Sequence, residues 1–518
     1  MKKLNPVLIS GKEVLPLIEG GKGVAVSDGR SSGAWAAAGA VGTISGVFAD
    51  MLDDEGKYIP KKYTKKTRQE RHQELIDMSI KGGIAQARLA HELAGGNGRI
   101  HMNVLWEMGG SIPILEGVMN SCENMVKNFK NRIPDRLQPK IDRLSERVQG
   151  TLGALRFKYQ TRIHEAIPVV DDVLGEVKNF IHGITCGAGM PYRLAEIASK
   201  HEIFYYPIIS SARAFRALWL RSYKNCKEFL GGVVYEDPWL AGGHNGLSNS
   251  EDPEKPERPY ERLVALRKQM NEYGLNQTPI IMAGGVWNLA EFEDYIDNPE
   301  IGPIAFQLGT RPLLTQESPV WRTWQKKLMS LKKGDVVLQQ FSPTGFYSSA
   351  VRTRFMQELI DRKETEMPYL EKPETIFVKP YKVSEAHTVY LTAHDFKRAQ
   401  AYVKQGLDVA LRTPDHSLIF VSKEAEQRIK QARAHCVGCL SQCLFSGWSQ
   451  ADGHTNRLPD PRSFCISATL EDIAHGGDVE DNLMFAGHSA YRFAQDPMYK
   501  DGFVPTVKEL IDALMNGR

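Results

Sequence analysis

Three stretches of this chain combine residue types and spacings that can do chemistry. The first is Gly242-Gly-His-Asn-Gly246, which follows the apolar run Gly232–Tyr235 and the acidic pair Glu236-Asp237. Glycines such as Gly243 let a loop turn tightly over a flat ligand while presenting one imidazole. Imidazole titrates near neutrality, so His244 can take a proton from an acidic carbon or hydrogen-bond an anionic substrate. A lone histidine is usually structural; this setting reverses that expectation. The second stretch is a pair. Pro279-Ile-Ile-Met-Ala-Gly-Gly-Val286 runs into Gly284-Gly285, and Ile304-Ala-Phe-Gln-Leu-Gly-Thr-Arg311 runs into Gly309-Thr310. One Gly pair is an ordinary tight turn. Two at the same end of successive strands can present backbone N–H groups, and the Thr310 hydroxyl, to a phosphate.

The third stretch is Cys436-Val-Gly-Cys439-Leu-Ser-Gln-Cys443, with Cys465 following after 21 intervening residues. Three close thiolates and a distant fourth can wrap a 4Fe–4S cluster, since each iron needs one sulfur ligand. His435, His454 or His475 can substitute for Cys465. A structural zinc site is the alternative, although zinc sites more often pair two C-x2-C units and only one is present. Cys122, Cys186 and Cys226 stand alone and read as ordinary residues. The basic run Lys57–Arg71 has no aromatic ladder beside it and reads as a solvated face rather than a nucleic-acid site.

The elements that must position these groups follow a simple alternation. Eight apolar or β-branched runs can be counted from Val14 to Leu314: Val24–Ser27 (or the preceding Val14–Ile18), Val41–Ser45, Ile100–Leu105, Phe180–Thr185, Ile203–Ile209, Gly232–Tyr235, Pro279–Met282 and Ile304–Leu308. Most are apolar throughout, as parallel strands buried on both faces are. Helical patterns separate them, at Thr67–Leu93, Arg193–Lys200, Arg213–Phe229, Tyr260–Tyr273 and Leu289–Asp297. The expected class is α/β, a (β/α)8 TIM barrel; a doubly wound sheet is the alternative.

The barrel is expected to occupy residues 1–340, with a helical insertion at about 115–178. Ile141, Leu144, Val148, Leu152 and Leu155 recur there at helical spacing. That insertion fits a hairpin packed on the barrel wall, or a surface for homo-oligomers. Residues 341–518 form an α+β extension carrying the cysteines at 436–465. Short strands are expected there at Thr375–Val378, Val409–Leu411 and Leu418–Val421, and helices at His394–Lys404 and Val504–Met515.

Composition bounds the function. The chain has 518 residues, 42% hydrophobic and 25% charged, with a net charge of +3. This is ordinary globular composition, and the balance gives no reason to expect nucleic acid or an anionic membrane as partner. No window holds the ~18 uninterrupted apolar residues of a membrane helix. Met1–Ser10 has no apolar stretch typical of a signal peptide. Seven cysteines, an odd number, make no disulfide scaffold. A cytoplasmic setting with reduced thiols is expected.

Read in order, these residues resemble a known family. Leu15-Pro-Leu-Ile-Glu-Gly-Gly-Lys-Gly-Val24, with Val41-Gly-Thr-Ile-Ser45, looks like the opening of the nitronate monooxygenase family (formerly 2-nitropropane dioxygenases), which includes related FMN-dependent enoyl reductases. Met102-Asn-Val-Leu105, Gly187-Ala-Gly-Met-Pro191, Ala241-Gly-Gly-His-Asn-Gly246, Ala283-Gly-Gly285 and Gln307-Leu-Gly-Thr-Arg311 resemble its later strand ends. The similarity covers about residues 14–315, apart from the insertion. It implies an FMN barrel in which Gly284, Gly285, Gly309 and Thr310 hold the phosphate and Asn103 and Gln307 contact the flavin. The Gly21–Gly23 backbone would lie near the isoalloxazine, and His244 would act beside it. Lys22 stands where the family often has Met; a cation there would stabilise an anionic reduced flavin. The cysteine stretch resembles the iron–sulfur loop of flavoenzymes such as 2,4-dienoyl-CoA reductase and trimethylamine dehydrogenase.

The expected function is therefore FMN-dependent oxidation of alkyl nitronates with dioxygen, with His244 as the base. An NAD(P)H- or ferredoxin-dependent reductase of enoyl type, using the iron–sulfur cluster, is the alternative. No Rossmann-type glycine motif is evident, so NAD(P)H would dock directly over FMN. A non-catalytic barrel scaffold is the third reading, against which the histidine loop and both phosphate loops count.

Overall fold

The structure is a computed structural model that describes residues 2–130, 180–449 and 458–517. Eight strands close into a barrel in sequential order. They are β1 (Leu17–Glu19), β2 (Val41–Ser45), β3 (Arg99–Leu105), β4 (Gly183–Gly187), β5 (Phe204–Ile209), β6 (Val233–Glu236), β7 (Ile280–Ala283) and β8 (Ile304–Leu308). Every pairing is parallel. This is a (β/α)8 TIM barrel. The strands are apolar because both faces are covered, by the barrel interior and by the outer helices.

The first apolar run was ambiguous, and the earlier alternative holds the strand. Val24, Ala25 and Val26 are buried but lie in turns, and Val24 and Val26 line the cavity at the barrel mouth. A buried loop and a buried strand carry the same apolar signal. The fourth strand starts at Gly183 rather than Phe180. The expected helix at Leu289–Asp297 is only a 3-10 stretch, Ala290–Tyr295. The helix expected at Arg213–Phe229 ends at Arg221, and two 3-10 turns complete it.

The long helix Arg68–Ala94 starts at a capping box, Thr67 with Glu70, and stops at Gly95 in the left-handed region, φ +56°. The helix Ser111–Lys130 leads into the expected insertion, most of which lies outside the described residues. No helix among the described residues is long and apolar enough to cross a membrane.

The extension has two parts. A small unit packs Met367, Val389, Leu391, Leu418 and Phe420 into a core of its own. It contains the hairpin Phe377–Ser384/His387–Thr392, the helix Ala393–Lys404 and a sheet of Met367–Pro368, Ser417–Val421 and Val409–Arg412. The other part returns to the barrel. Val336–Gln339 and Ser348–Val351 pair antiparallel, and Gly243–His244 adds a third strand to that sheet. The final helix, Val507–Met515, buries Val507, Leu510, Ile511 and Leu514.

At the far end of the barrel, one buried cation fixes the entry to β7 and β8. Arg267 donates to Ile301 O at 2.5 Å, Leu275 O at 3.1 Å, Thr278 O at 3.0 Å and Pro303 O at 3.3 Å. Removing it takes a donor from each of these buried carbonyls; Leu275 O and Pro303 O keep a backbone N–H, from Thr278 and Ile280, and Ile301 O and Thr278 O lose their guanidinium donor. Arg267→Ala should cost on the order of 3 kcal/mol of stability, read as a lowered urea midpoint. An unchanged midpoint would show that water replaces the guanidinium without cost.

Candidate active site

Parallel barrels release their loops at the carboxyl ends of the strands. One cavity opens there, and it gathers Gly21, Lys22, Gly23, Asn103, Gly243, His244, Gly284, Gly285, Gln307, Gly309 and Thr310. Chain segments far apart in sequence are thus brought to one place. Glycines form part of the wall, and apolar side chains such as Val47, Phe48, Ile466, Ile473 and Phe485 form much of the rest. A Cβ at Gly21 would lie 2.2 Å from Asn103 Cβ, so only glycine lets the end of β1 lie against that side chain. Asn103 is oriented by Thr185, whose hydroxyl donates to Oδ1 at 2.9 Å; its own Nδ2 donates to Gly21 O at 3.4 Å.

The paired glycines behave as a cradle. Gly284 and Gly285 take φ of +86° and +75°, where other residues are strained. A Cβ at Gly309 would meet nothing within 4 Å, so its absence leaves open space beside the loop. Thr310 Oγ1 accepts the N–H of Gly487 at 2.8 Å, which leaves its hydroxyl proton available to donate.

Lys22 departs from the expectation of a free cation beside a flavin. Its ammonium turns back, donating to Glu19 Oε1 at 3.1 Å and Gly20 O at 2.8 Å. Glu19 is fully buried and also accepts the Ser31 hydroxyl at 2.7 Å. The positive charge is cancelled at the end of β1.

His244 is fixed by the extension. Its backbone pairs with Ser348, and its Nε2 shares a hydrogen bond with Ser342 Oγ at 2.5 Å. The Phe485 ring meets the imidazole edge-on at 5.5 Å between centroids. Burial pushes the ring down to about 4, so it is neutral at pH 7.

The cysteines lie beside this cavity. Cys439 and Leu440 form part of its wall, as does Ile466, the neighbour of Cys465. Cys436, Cys439, Cys443 and Cys465 are all free thiols. Burial, and then the charges of the other three, raise the Cys439 thiol well above its ordinary value; Cys465 is pushed up to about 11, again mainly by burial. Backbone N–H groups approach each sulfur: Gly438 on Cys436 at 3.5 Å, Ser467 on Cys439, Phe445 and Ser446 on Cys443, and Ala468 on Cys465. The structure does not show the expected metal site, however. No group of three or more His, Cys, Asp or Glu side chains among the described residues is arranged to hold a metal ion. His475 pairs with Asp50 at 2.9 Å and stacks on Tyr58, and His435 is exposed. His454 lies outside the described residues.

Sequence reasoning missed Ser342, Phe485 and the cavity-lining segment Met484–Gly487. Ser342 sits in Phe341-Ser-Pro-Thr, a stretch with no chemical signature. In the Asn482–Arg492 segment, Gly487 and Ser489 face the cavity, while Arg492 pairs with Glu291 and His488 with Ser349. Glu236, at the end of β6, also lines the cavity. Its position after an apolar strand was the available signal.

The depressed His244 titration links folding to pH. The unfolded ring protonates near 6.5 and the folded one near 4, so the folded state binds fewer protons in between. The stability this ring contributes is fully present above pH 6.5 and is lost as pH falls toward 4. His244→Asn should therefore lose less stability than the wild type between these limits, by on the order of 2 kcal/mol. Urea titrations at several pH values would read this, and parallel curves for the two proteins would contradict the burial argument.

Comparison with known proteins adds the family. The family model described as nitronate monooxygenase matches residues 138–517. No curated protein matches the chain. Among solved structures, FabK from Thermotoga maritima is 13% identical, with a TM-score of 0.43, covering 97% of this chain and 92% of that one. The enoyl reductase domain of MlnA from the macrolactin biosynthesis cluster of Bacillus amyloliquefaciens is 11% identical, with a TM-score of 0.44 and coverage of 97% and 93%. Nitroalkane oxidase from Streptomyces ansochromogenes is 14% identical, with a TM-score of 0.37 and coverage of 68% and 80%. The family match spans well over half of the sequence and supports an FMN-type oxidoreductase: the chain belongs to the nitronate monooxygenase family.

Proposed function

We propose that this chain oxidises alkyl nitronates with dioxygen, using FMN held in the barrel-mouth cavity and His244 beside it. The observation that carries this reading is the meeting of His244 with the glycine-walled ends of β1, β7 and β8 in one cavity. The residues fit the cofactor. Positive-φ glycines at 284 and 285, open space at Gly309 and the Thr310 hydroxyl suit a phosphate. Gly20, Gly21 and Gly23, of which Gly21 packs against Asn103, leave room at the end of β1 for a ring system, and apolar side chains such as Val47 and Phe48 can cover its face. When bound, FMN supplies the redox chemistry.

His244 contributes an uncharged imidazole held by Ser342. Its low proton affinity makes it a weak base toward a neutral nitroalkane. It remains a good hydrogen-bond partner for the anion. This supports the nitronate, already deprotonated, as the substrate. His244→Ala should retain FMN, seen in the visible spectrum, and lose ~10²-fold or more of its turnover of 2-nitropropane nitronate. Unchanged turnover would remove His244 from the chemistry.

A second reading is favoured by one observation, the place of Cys439 in the cavity wall. Backbone N–H groups aimed at four neighbouring sulfurs suit thiolates that ligate a 4Fe–4S cluster or zinc. With a cluster, the chain would be a reductase supplied by NAD(P)H or a ferredoxin-like donor. Metal and acid-labile sulfide analysis of anaerobically purified protein separates the readings. About four iron and four sulfide per chain supports the reductase; zinc, or no metal, makes the cysteine segment structural.

A further inference from the structure

Glu236 is the last residue of β6. Val233, Val234 and Tyr235 before it are fully buried, and only Glu236 is partly accessible, toward the cavity it shares with His244. Its backbone is fixed by the ladder, opposite Ala283 of β7. Among the described residues its carboxyl has no hydrogen-bond or ion-pair partner. The adjacent Asp237 behaves differently: its Oδ1 accepts the N–H groups of Trp239 and Leu240 and so shapes the turn toward the histidine loop. The position of Glu236 therefore presents a carboxyl group to whatever the cavity binds.

We propose that Glu236 anchors the anionic substrate, through a carboxyl group that keeps its proton and donates it in a hydrogen bond to a nitronate oxygen. This inference rests on the nitronate reading above and assigns the group that recognises the anion. An ionised carboxylate at this place would repel the substrate, and among the described residues lining the cavity no unpaired cation faces it. Of the titratable groups that line the same cavity, Lys22 is paired with Glu19, His244 is a neutral ring and Cys439 is a buried thiol. Burying an unpaired carboxylate is costly, and the usual response is to take up a proton. Burial, reinforced by the charge of Asp237, raises Glu236 to about 8. At pH 7 the acid form dominates. The same logic keeps a carboxylic acid neutral as a hydrogen-bond donor in other enzyme sites.

The sign of the pH dependence follows. Affinity for a small anion is full below about pH 8 and is lost as pH rises, because the carboxylate neither donates nor tolerates a neighbouring negative charge. Isobutyrate, a stable anion with the same heavy-atom connectivity and charge as 2-nitropropane nitronate, serves as the probe. Its Kd for the FMN-loaded protein is measured by calorimetry between about pH 6 and pH 10. For the wild type, Kd should rise about tenfold per pH unit above the Glu236 titration. Glu236→Gln, a permanent neutral donor, should bind at every pH without that rise. Glu236→Ala should bind roughly tenfold more weakly than wild type at pH 6. The visible FMN spectrum reports that each variant is folded and loaded.

A wild-type Kd that is flat across the range, a Glu236→Gln variant that titrates like the wild type, or no isobutyrate binding at all would overturn the proposal. If isobutyrate binds with the expected pH dependence but no nitronate is oxidised, Glu236 still recognises an anion and the nitronate reading is the part that fails. If nitronate is oxidised while anion binding ignores pH, the proposal for Glu236 fails alone.

Discussion

The cavity depends on a backbone-to-backbone approach between Gly242 and the segment Ala486–Gly487. A Cβ at Gly242 would lie 2.6 Å from Gly487 N and from the carbonyl carbon of Ala486. Gly487 in turn packs against Leu240 O and donates its N–H to Thr310 Oγ1. Because Gly242 and Gly487 lack side chains, the extension reaches the barrel mouth. That single approach brings Phe485 against His244 and places Gly487 and Ser489 beside the Gly284-Gly285 and Gly309-Thr310 loops. The barrel supplies the strand ends, and the extension closes them into a site.

The electrostatics of the cavity follow from the same enclosure. Lys22 is spent on Glu19, His244 is held neutral by burial, and the thiols beside it are raised. A low-charge chamber of this kind makes each remaining polar group count for more than it would in water. It also ties substrate choice to protonation rather than to fixed positive charge. The cavity is lined by glycine backbone, apolar side chains and hydrogen-bonding groups, and no arginine is among the described residues that line it.

Much of this was legible before the structure. Ile304–Leu308 and Val41–Ser45 are strands with the boundaries their apolar runs suggest, because parallel strands buried on both faces leave no other pattern. Gly284, Gly285, Gly309 and Thr310 meet where strands β7 and β8 end, since strand order alone places them side by side. What was not legible lies in long-range pairing. Ser342 and Ser348 have no local signature, and only the antiparallel sheet with Gly243–His244 brings them to the histidine. Val24–Ser27 reads as a strand because a buried turn is as apolar as a buried strand. The cysteine spacing identified a group of thiols but not its surroundings, and a metal-holding geometry is not formed among them.

In the proposed function, one cavity at the barrel mouth carries out flavin chemistry on an anionic nitro compound. The most direct measurement is dioxygen consumption by the FMN-loaded protein with 2-nitropropane nitronate, set against the same concentration of neutral 2-nitropropane. The account predicts saturable dioxygen uptake with the nitronate and much slower uptake with the neutral form. A protein that binds FMN but takes up no dioxygen with either, while consuming NAD(P)H under argon with an activated alkene, would contradict it.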